Sequence, residues 1–275
     1  MSDRERRLYL ELLRRSLTRG TFDHVLVPLA LENPTRKKRL IAPLVRLLAR
    51  RRIVLARAIS MEGAFAKSPP RQIRTADTLI GPVGLENLQH LIEDILRTNT
   101  PGDLIETGVW RGGSVIFMRW VLEAHGDESR VVWAADSFVG LPARGTTKHD
   151  QDLDDVDWAR ETWLEVSLDE VRGRAERYGL LDDRIRFLVG WFHETLPEAP
   201  IERLSLMRLD GDMYGSTMDA LEALYPKLSV SGYVIIDDYQ IANCRVAVDT
   251  FRERHTIMDP LVPVDRAIVC WQRTA

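Results

Sequence analysis

Four short apolar runs in this chain stop at acidic residues, and those stops are where it could do chemistry. Glu106 closes DLIE, Asp136 closes VVWAAD, Asp210 closes LSLMRLD, and Asp237-Asp238 close GYVIIDD. If the runs are neighbouring parallel strands, their carboxyl ends share one edge of a sheet, the edge where such sheets bind ligands. Carboxylates gathered there repel one another and climb in pKa unless protons or a cation compensate them. Oxygen donors with no Cys or His pattern nearby suit a hard ion such as Mg²⁺, with Asp210, Asp237 and Asp238 as ligands. The alternative is that Asp212 and Asp238 serve only as caps and salt-bridge partners.

Glu106 also opens the motif E-x-G-x-x-x-G-G, running from Glu106 and Gly108 through Trp110 and Arg111 to Gly112, Gly113 and Ser114. Glycines let the backbone turn sharply beside a ligand, ahead of a helix N-terminus with free N–H groups. A dinucleotide site would read G-x-G-x-x-G, but bulky Trp110 occupies the place of the second glycine. The leading carboxylate suits a ligand bearing an ammonium and a sulfonium better than a phosphate; a purely structural turn is the other reading. Asp136-Ser137-Phe138, thirty residues on, stands where an acid takes both hydroxyls of an adenosine ribose, unless it is only a turn or cap residue. Gly190 and Trp191 follow the next apolar run and are placed to flank an adenine ring, although Trp191 could equally fill the core. The expected ligand-binding set is thus Glu106, Gly108, Arg111, Ser114, Asp136, Ser137, Phe138, Gly190 and Trp191.

The elements that must position these residues alternate from Gly84 onward. LENLQHLIEDIL reads as a helix, DLIETGV as a strand, SVIFMRWVLEAHG as a helix and VVWAADSF as a strand. Asp155 to Tyr178 is a charged helix or two; IRFLVG, LSLMRLDGD and GYVIIDDY are strands; Ser216 to Leu228 and Asn243 to Arg254 are helices. Two more strands are expected around Leu261 and in AIVCWQR. Apolar strands separated by helices predict a doubly wound parallel α/β sheet covered on both faces. The long, Asp-rich stretch Arg144 to Trp163 has the character of a lid.

Residues 1–83 read as a helical N-terminal segment, with Leu8, Leu10, Leu12 and Leu13 on one apolar face, and residues 84–275 as the main domain. Thr35 to Ile59 is rich in Arg and Lys and has no acidic residue. It is either a basic arm for an anionic partner or a surface helix whose leucines pack on the core or across a dimer interface. Pro43 interrupts it and the rest of the chain is acidic, which fits the second reading.

With 275 residues, 45% hydrophobic, 29% charged and a net charge of −3, nothing draws the chain toward nucleic acid or an anionic membrane. No apolar run approaches a membrane span, and MSDRERR lacks the apolar stretch of a signal peptide. Cys244 and Cys270 lie far apart without metal-ligand spacing, consistent with reduced thiols in a cytoplasmic protein.

The motifs PGDLIETGVWRGG, ADSFVGLP, RYGLLDDRIRFLVGWFHETLP, RLDGDMYGST and ALYPKLSVSGYVIIDDY, with LYLELLRRSLT near the start, resemble the macrocin O-methyltransferase (TylF-like) family. Its members methylate deoxysugar hydroxyls in antibiotic biosynthesis. The resemblance implies a class I S-adenosylmethionine (SAM) methyltransferase fold, Rossmann-like, with seven strands and the last antiparallel. It implies SAM as donor and Mg²⁺ as metal, with Glu106 and Gly108 on the methionine moiety and Asp136 and Ser137 on the ribose. Thr78, with Leu79, Ile80 and Gly81, would border the donor. Asp210 would be the catalytic base and would share the metal with Asp237 and Asp238. The acceptor would be a glycosylated small molecule, and the N-terminal helices lead us to expect a homo-oligomer. The competing expectations are a catechol-type enzyme acting on a phenolic product and a SAM-binding module without turnover. Two departures, the Thr35–Ile59 insertion and Asp77 and Leu79 where His and Met are expected, lie on the side expected to cover the acceptor.

Overall fold

The structure, a computed structural model, describes residues 1–28, 42–45, 47–48, 50–51, 53–60, 75–143, 148–149, 152 and 162–275. A seven-stranded sheet forms its centre, built from β3 (Asp103–Thr107), β4 (Val132–Asp136), β5 (Ile185–Val189), β6 (Leu204–Leu209), β7 (Leu228–Ile236), β8 (Val262–Pro263) and β9 (Val269–Gln272). Their order is β5-β4-β3-β6-β7-β9-β8. The first five run parallel, whereas β9 is antiparallel to both β7 and β8. The order reverses between β3 and β6, and a crevice for ligands opens at such a switch point, beyond the carboxyl ends of the strands.

The strands are apolar along their length because both faces are covered. Leu104, Val132, Ala134, Leu206 and Ile235 enter one buried cluster with α1 (Asp3–Leu17), α2 (Pro82–Thr98), α3 (Gly113–Ala124) and α4 (Leu168–Arg177). Ile105, Trp133, Met207, Leu209, Val234 and Ile236 enter the other, with α6 (Tyr214–Leu224) and α7 (Ala242–Arg254); a short α5 (Phe192–Thr195) follows β5. The period of two has a further consequence. Glu106, Arg208, Asp210 and Asp237 share the parity of Leu104, Leu206 and Ile235, and so belong to the first face.

The N-terminal segment is only partly the helix expected. Ser2 and Glu5 form a capping box that starts α1, and Leu10, Leu13 and Leu17 bury against the first cluster. Each buried leucine contributes roughly 1.5–3 kcal/mol. Leu8 and Leu12, grouped with them in the sequence reading, lie exposed on a different side, since the helical period separates them from the 10/13/17 row. His24–Pro28 (β1) and Ala56–Ser60 (β2) are not helical but pair as an antiparallel ribbon. The helical reading of residues 1–83 therefore fails over those spans, where HVLVP carries β-branched residues suited to a strand. Most of the proposed lid, and much of the basic stretch, lies outside the described residues. Cys244 and Cys270 are buried and not joined in a disulfide.

Candidate active site

The site is built from the β3 and β6 ends outward. Glu106 and Arg208 are register partners on adjacent parallel strands, which sets their side chains side by side on one face. Both are buried, at 1% and 2% exposure, and the Arg208 guanidinium is in direct contact with Glu106 Oε1. The same guanidinium reaches Asp210 Oδ2 at 3.1 Å and Asp237 Oδ1 at 2.6 Å. Arg208 was not among the expected site residues. The signal it left in the sequence is a lone cation in the apolar run LSLMRL, just before an acid.

Asp210, Asp237 and Asp238 stand where sequence reasoning put them, with one carboxylate oxygen from each lying within 4.8 Å of the others. The Asp210 and Asp237 amides donate to Thr107 and Leu209 carbonyls at 3.0 and 2.9 Å, continuing the strand ladder. Asp238 Oδ2 accepts from the Asp212 amide at 3.2 Å. Burial, and then the neighbouring carboxylates, push the Asp210 and Asp238 carboxyls well above their ordinary range. Burial likewise lifts Glu106 to about 7 against the pull of Arg208. Arg208 itself, surrounded by three carboxylates, holds its proton more tightly than an ordinary arginine.

This charge balance fits a divalent cation. Four acids are gathered here with one guanidinium, which touches Glu106, Asp210 and Asp237 but not Asp238, and the oxygen-only donor set suits a hard ion. Among the described residues no other group of three His, Cys, Asp or Glu has that geometry.

The glycine turn packs against this cluster. Gly108 has φ of +80°, and a Cβ there would lie 1.7 Å from the Asp210 carbonyl oxygen, so only glycine allows β3 to leave the sheet beside β6. Asp136 governs the turn from the other side. Its Oδ2 accepts from the Val109 amide at 2.7 Å and the Trp110 amide at 3.4 Å, while Oδ1 accepts from the Phe138 amide at 2.8 Å. Both oxygens are thus engaged with backbone, the turn role set beside the ribose role in the sequence reading. Ser137 closes the next turn, its hydroxyl donating to the Gly140 carbonyl at 2.6 Å and accepting from the Val139 amide at 3.1 Å. The Phe138 ring is buried edge-on against Phe187, directed to the core. Gly190 is joined to this region through its amide, 2.9 Å from the Asp136 carbonyl, and Trp191 caps α5 half-buried.

Thr78 and Ser114 are buried, with hydroxyls 3.3 Å apart. Arg111 stacks over Trp110 at 4.5 Å and donates to the Ala76 carbonyl at 2.9 Å. The Trp110 indole N–H donates to the Trp163 carbonyl at 3.2 Å, and the two rings meet edge-on, forming a wall beside the turn.

The sequence profile described as "Macrocin-O-methyltransferase (TylF)" matches residues 6–273, nearly the whole chain. This chain belongs to that family. Two characterised relatives carry the match into function by their names. The 8-demethyl-8-(2,3-dimethoxy-alpha-L-rhamnosyl)-tetracenomycin-C 4'-O-methyltransferase of Streptomyces olivaceus is 54% identical, over 73% of this chain and 77% of that protein. The mycinamicin III 3''-O-methyltransferase of Micromonospora griseorubida is 50% identical, over 73% of this chain and 80% of that one. In three dimensions the chain is similar to the O-methyltransferase NovP, with a TM-score of 0.81 and 39% identity, covering 98% of this chain and all of that one. The TylF-family chain is accordingly a SAM-dependent O-methyltransferase with the class I fold.

Proposed function

We propose that this methyltransferase transfers a methyl group to a deoxysugar hydroxyl of a glycosylated natural product, with Mg²⁺ held by Asp210, Asp237 and Asp238. The observation that carries the metal reading is the three-carboxylate cluster at the β6 and β7 ends, only partly compensated by Arg208. The sugar reading is supported by the first relative above, named for 4'-O-methylation of a compound carrying a dimethoxy-rhamnosyl group, and by the second, named for a 3''-O-methylation. No helix among the described residues is long and apolar enough to cross a membrane. We further propose a cytoplasmic homo-oligomer that binds neither nucleic acid nor membrane.

Most of the rate enhancement in such a transfer comes from alignment of the acceptor oxygen with the donor methyl. Glu106 receives the ammonium end of the donor, and the Gly108–Ser114 turn lets the backbone pass close to it. Gly190 and Trp191 take the adenine side. SAM supplies the electrophilic methyl, and a divalent cation on the aspartates supplies Lewis acidity that lowers the pKa of a sugar hydroxyl. Asp210, just past the end of β6, is the group we assign to take the hydroxyl proton. Two vicinal oxygens would use the aspartate cluster best, which favours a diol.

The test is a mass-detected acceptor screen with SAM, glycosylated metabolites and phenols, run with Mg²⁺ or EDTA on the wild type, Asp237→Ala and Asp238→Ala. Methylation of a glycoside that needs the metal and both aspartates is expected. Activity indifferent to EDTA and to both substitutions would end the metal reading, and methylation of phenols alone would end the sugar reading.

A further inference from the structure

Asp77 has no role in the machinery described so far, yet three parts of the chain converge on it. The Tyr178 hydroxyl donates to its Oδ2 at 3.0 Å. Arg174 Nε, in the last turn of α4, lies 3.5 Å from Oδ1, and Arg19 Nη2, just past α1, lies 3.9 Å from Oδ2. The side chains of Asp77 and Arg174 are only 13% and 14% exposed, so this pair is less screened than a surface one. The backbone around Asp77 is tied down as well. Arg19 Nε donates to the Thr75 carbonyl at 3.1 Å, Arg111 Nη1 to the Ala76 carbonyl at 2.9 Å, and the Asp77 amide to the Leu17 carbonyl at 2.9 Å.

What these bonds hold is a strap across the start of α3. A Cβ at Gly113 would lie 2.4 Å from the Asp77 carbonyl oxygen and 2.6 Å from Thr78 Cβ, so the two backbones touch with nothing between them. One residue on, Thr78 reaches the Ser114 hydroxyl. The helix end beneath the strap is the one entered from Glu106 through the glycine turn, and its unpaired N–H groups are the fixed dipoles of the donor site. A displacement of the strap by a few tenths of an ångström is therefore a displacement of the donor wall.

We propose that Asp77 is a positioning residue for the methyl donor. By gathering Arg19, Arg174 and Tyr178, it locks residues 75–80 over the α3 N-terminus, so that α1 and α4, both remote from the transfer, determine how tightly the donor is held. The inference rests on the donor lying against Glu106 and the turn to Ser114, as proposed above. It predicts a defect in donor binding and not in the transfer step.

The test uses the full chain and S-adenosylhomocysteine (SAH) as the calorimetric probe. Asp77→Asn, which keeps the shape and removes the charge, should raise the SAH Kd about tenfold. KM for SAM should rise with it, while kcat at saturating SAM stays within about twofold. Arg174→Met should move the same parameters, and the double variant should be little worse than either single one because both break one unit. An unchanged SAH Kd in folded Asp77→Asn, or a fall in kcat with Kd unaltered, would overturn the proposal. If Asp77→Asn does not fold, Arg174→Met decides alone, and a wild-type Kd there overturns it equally. Wild-type protein that binds no SAH would remove the underlying donor-site reading, and this inference with it.

Discussion

Replacing Arg208 with Met tests whether one guanidinium holds the acidic centre together. Met fills much of the same volume and removes the charge, leaving Glu106, Asp210 and Asp237 without the cation that touches all three. Breaking a buried ion pair by removing one partner costs roughly 3–5 kcal/mol. Three partners do not triple that figure, because carboxyls already pushed upward by burial can neutralise themselves by binding protons. The loss should therefore be near the full 3–5 kcal/mol at pH 8.5 and roughly half of it at pH 6. In a chain of this size the higher-pH value lowers Tm by roughly 10 °C. Urea denaturation and thermal melts of Arg208→Met and wild type at both pH values, without divalent cation, provide the measurement. Arg208→Lys, which keeps the charge but not the planar fork, should fall between them. A Met variant within 1 kcal/mol of wild type at pH 8.5, or a deficit independent of pH, would refute this account of the cluster.

Two further outcomes follow from the same geometry. Gly108→Ala places a Cβ on the Asp210 carbonyl and a side chain at φ +80°, so it should abolish SAH binding and lower stability by at least about 2 kcal/mol, measured by calorimetry and denaturation. Glu106 binds its proton more tightly folded, at about 7, than at its ordinary 4.5, so its stabilising contribution is complete below 4.5 and lost as pH rises through about 7. Wild-type stability without metal should thus decline across that window by on the order of 3 kcal/mol, while Mg²⁺ affinity, which needs deprotonated Asp210 and Asp238, should rise with pH.

The strand ends were legible because their signal is local. An apolar run fixes a strand, the strand's end fixes the edge, and the acid at each end needs no knowledge of its neighbours to be noticed. That reasoning recovers the parallel sheet and the meeting of Asp210, Asp237 and Asp238, whereas the antiparallel final strand followed only from the family resemblance. Arg208 was not legible, because its meaning depends on being register partner to Glu106, 102 residues away. The β1–β2 ribbon was not legible for the same reason, since β2 lies at the end of the basic stretch and its partner strand lies before that stretch in the sequence. Asp136 illustrates the intermediate case. Its position was correct, but whether its oxygens face a ligand or backbone amides is decided by how the glycine turn folds back, and the turn brings the Val109 and Phe138 amides to it.

The arrangement also explains why a glycine turn shared with nucleotide-binding folds is turned to a different ligand. In those folds the turn and helix end present N–H groups to a phosphate, and the surrounding field must be neutral or positive for the phosphate to enter. Here the turn into α3 starts at Glu106, one of four acids gathered at the ends of β3, β6 and β7 around a single buried guanidinium. An anion at this edge would push the acids further toward their protonated forms, whereas an ammonium, a sulfonium or a divalent cation would favour their ionisation. Arg208 touches Glu106, Asp210 and Asp237, and Gly108, by admitting the Asp210 carbonyl to contact distance, brings the glycine turn against the end of β6. If the acids at the ends of β3, β6 and β7 and not the glycines set donor choice, as the proposed assignment of Glu106 requires, Glu106→Gln should weaken SAH binding measured by calorimetry while the fold is kept, and an unchanged Kd would refute it.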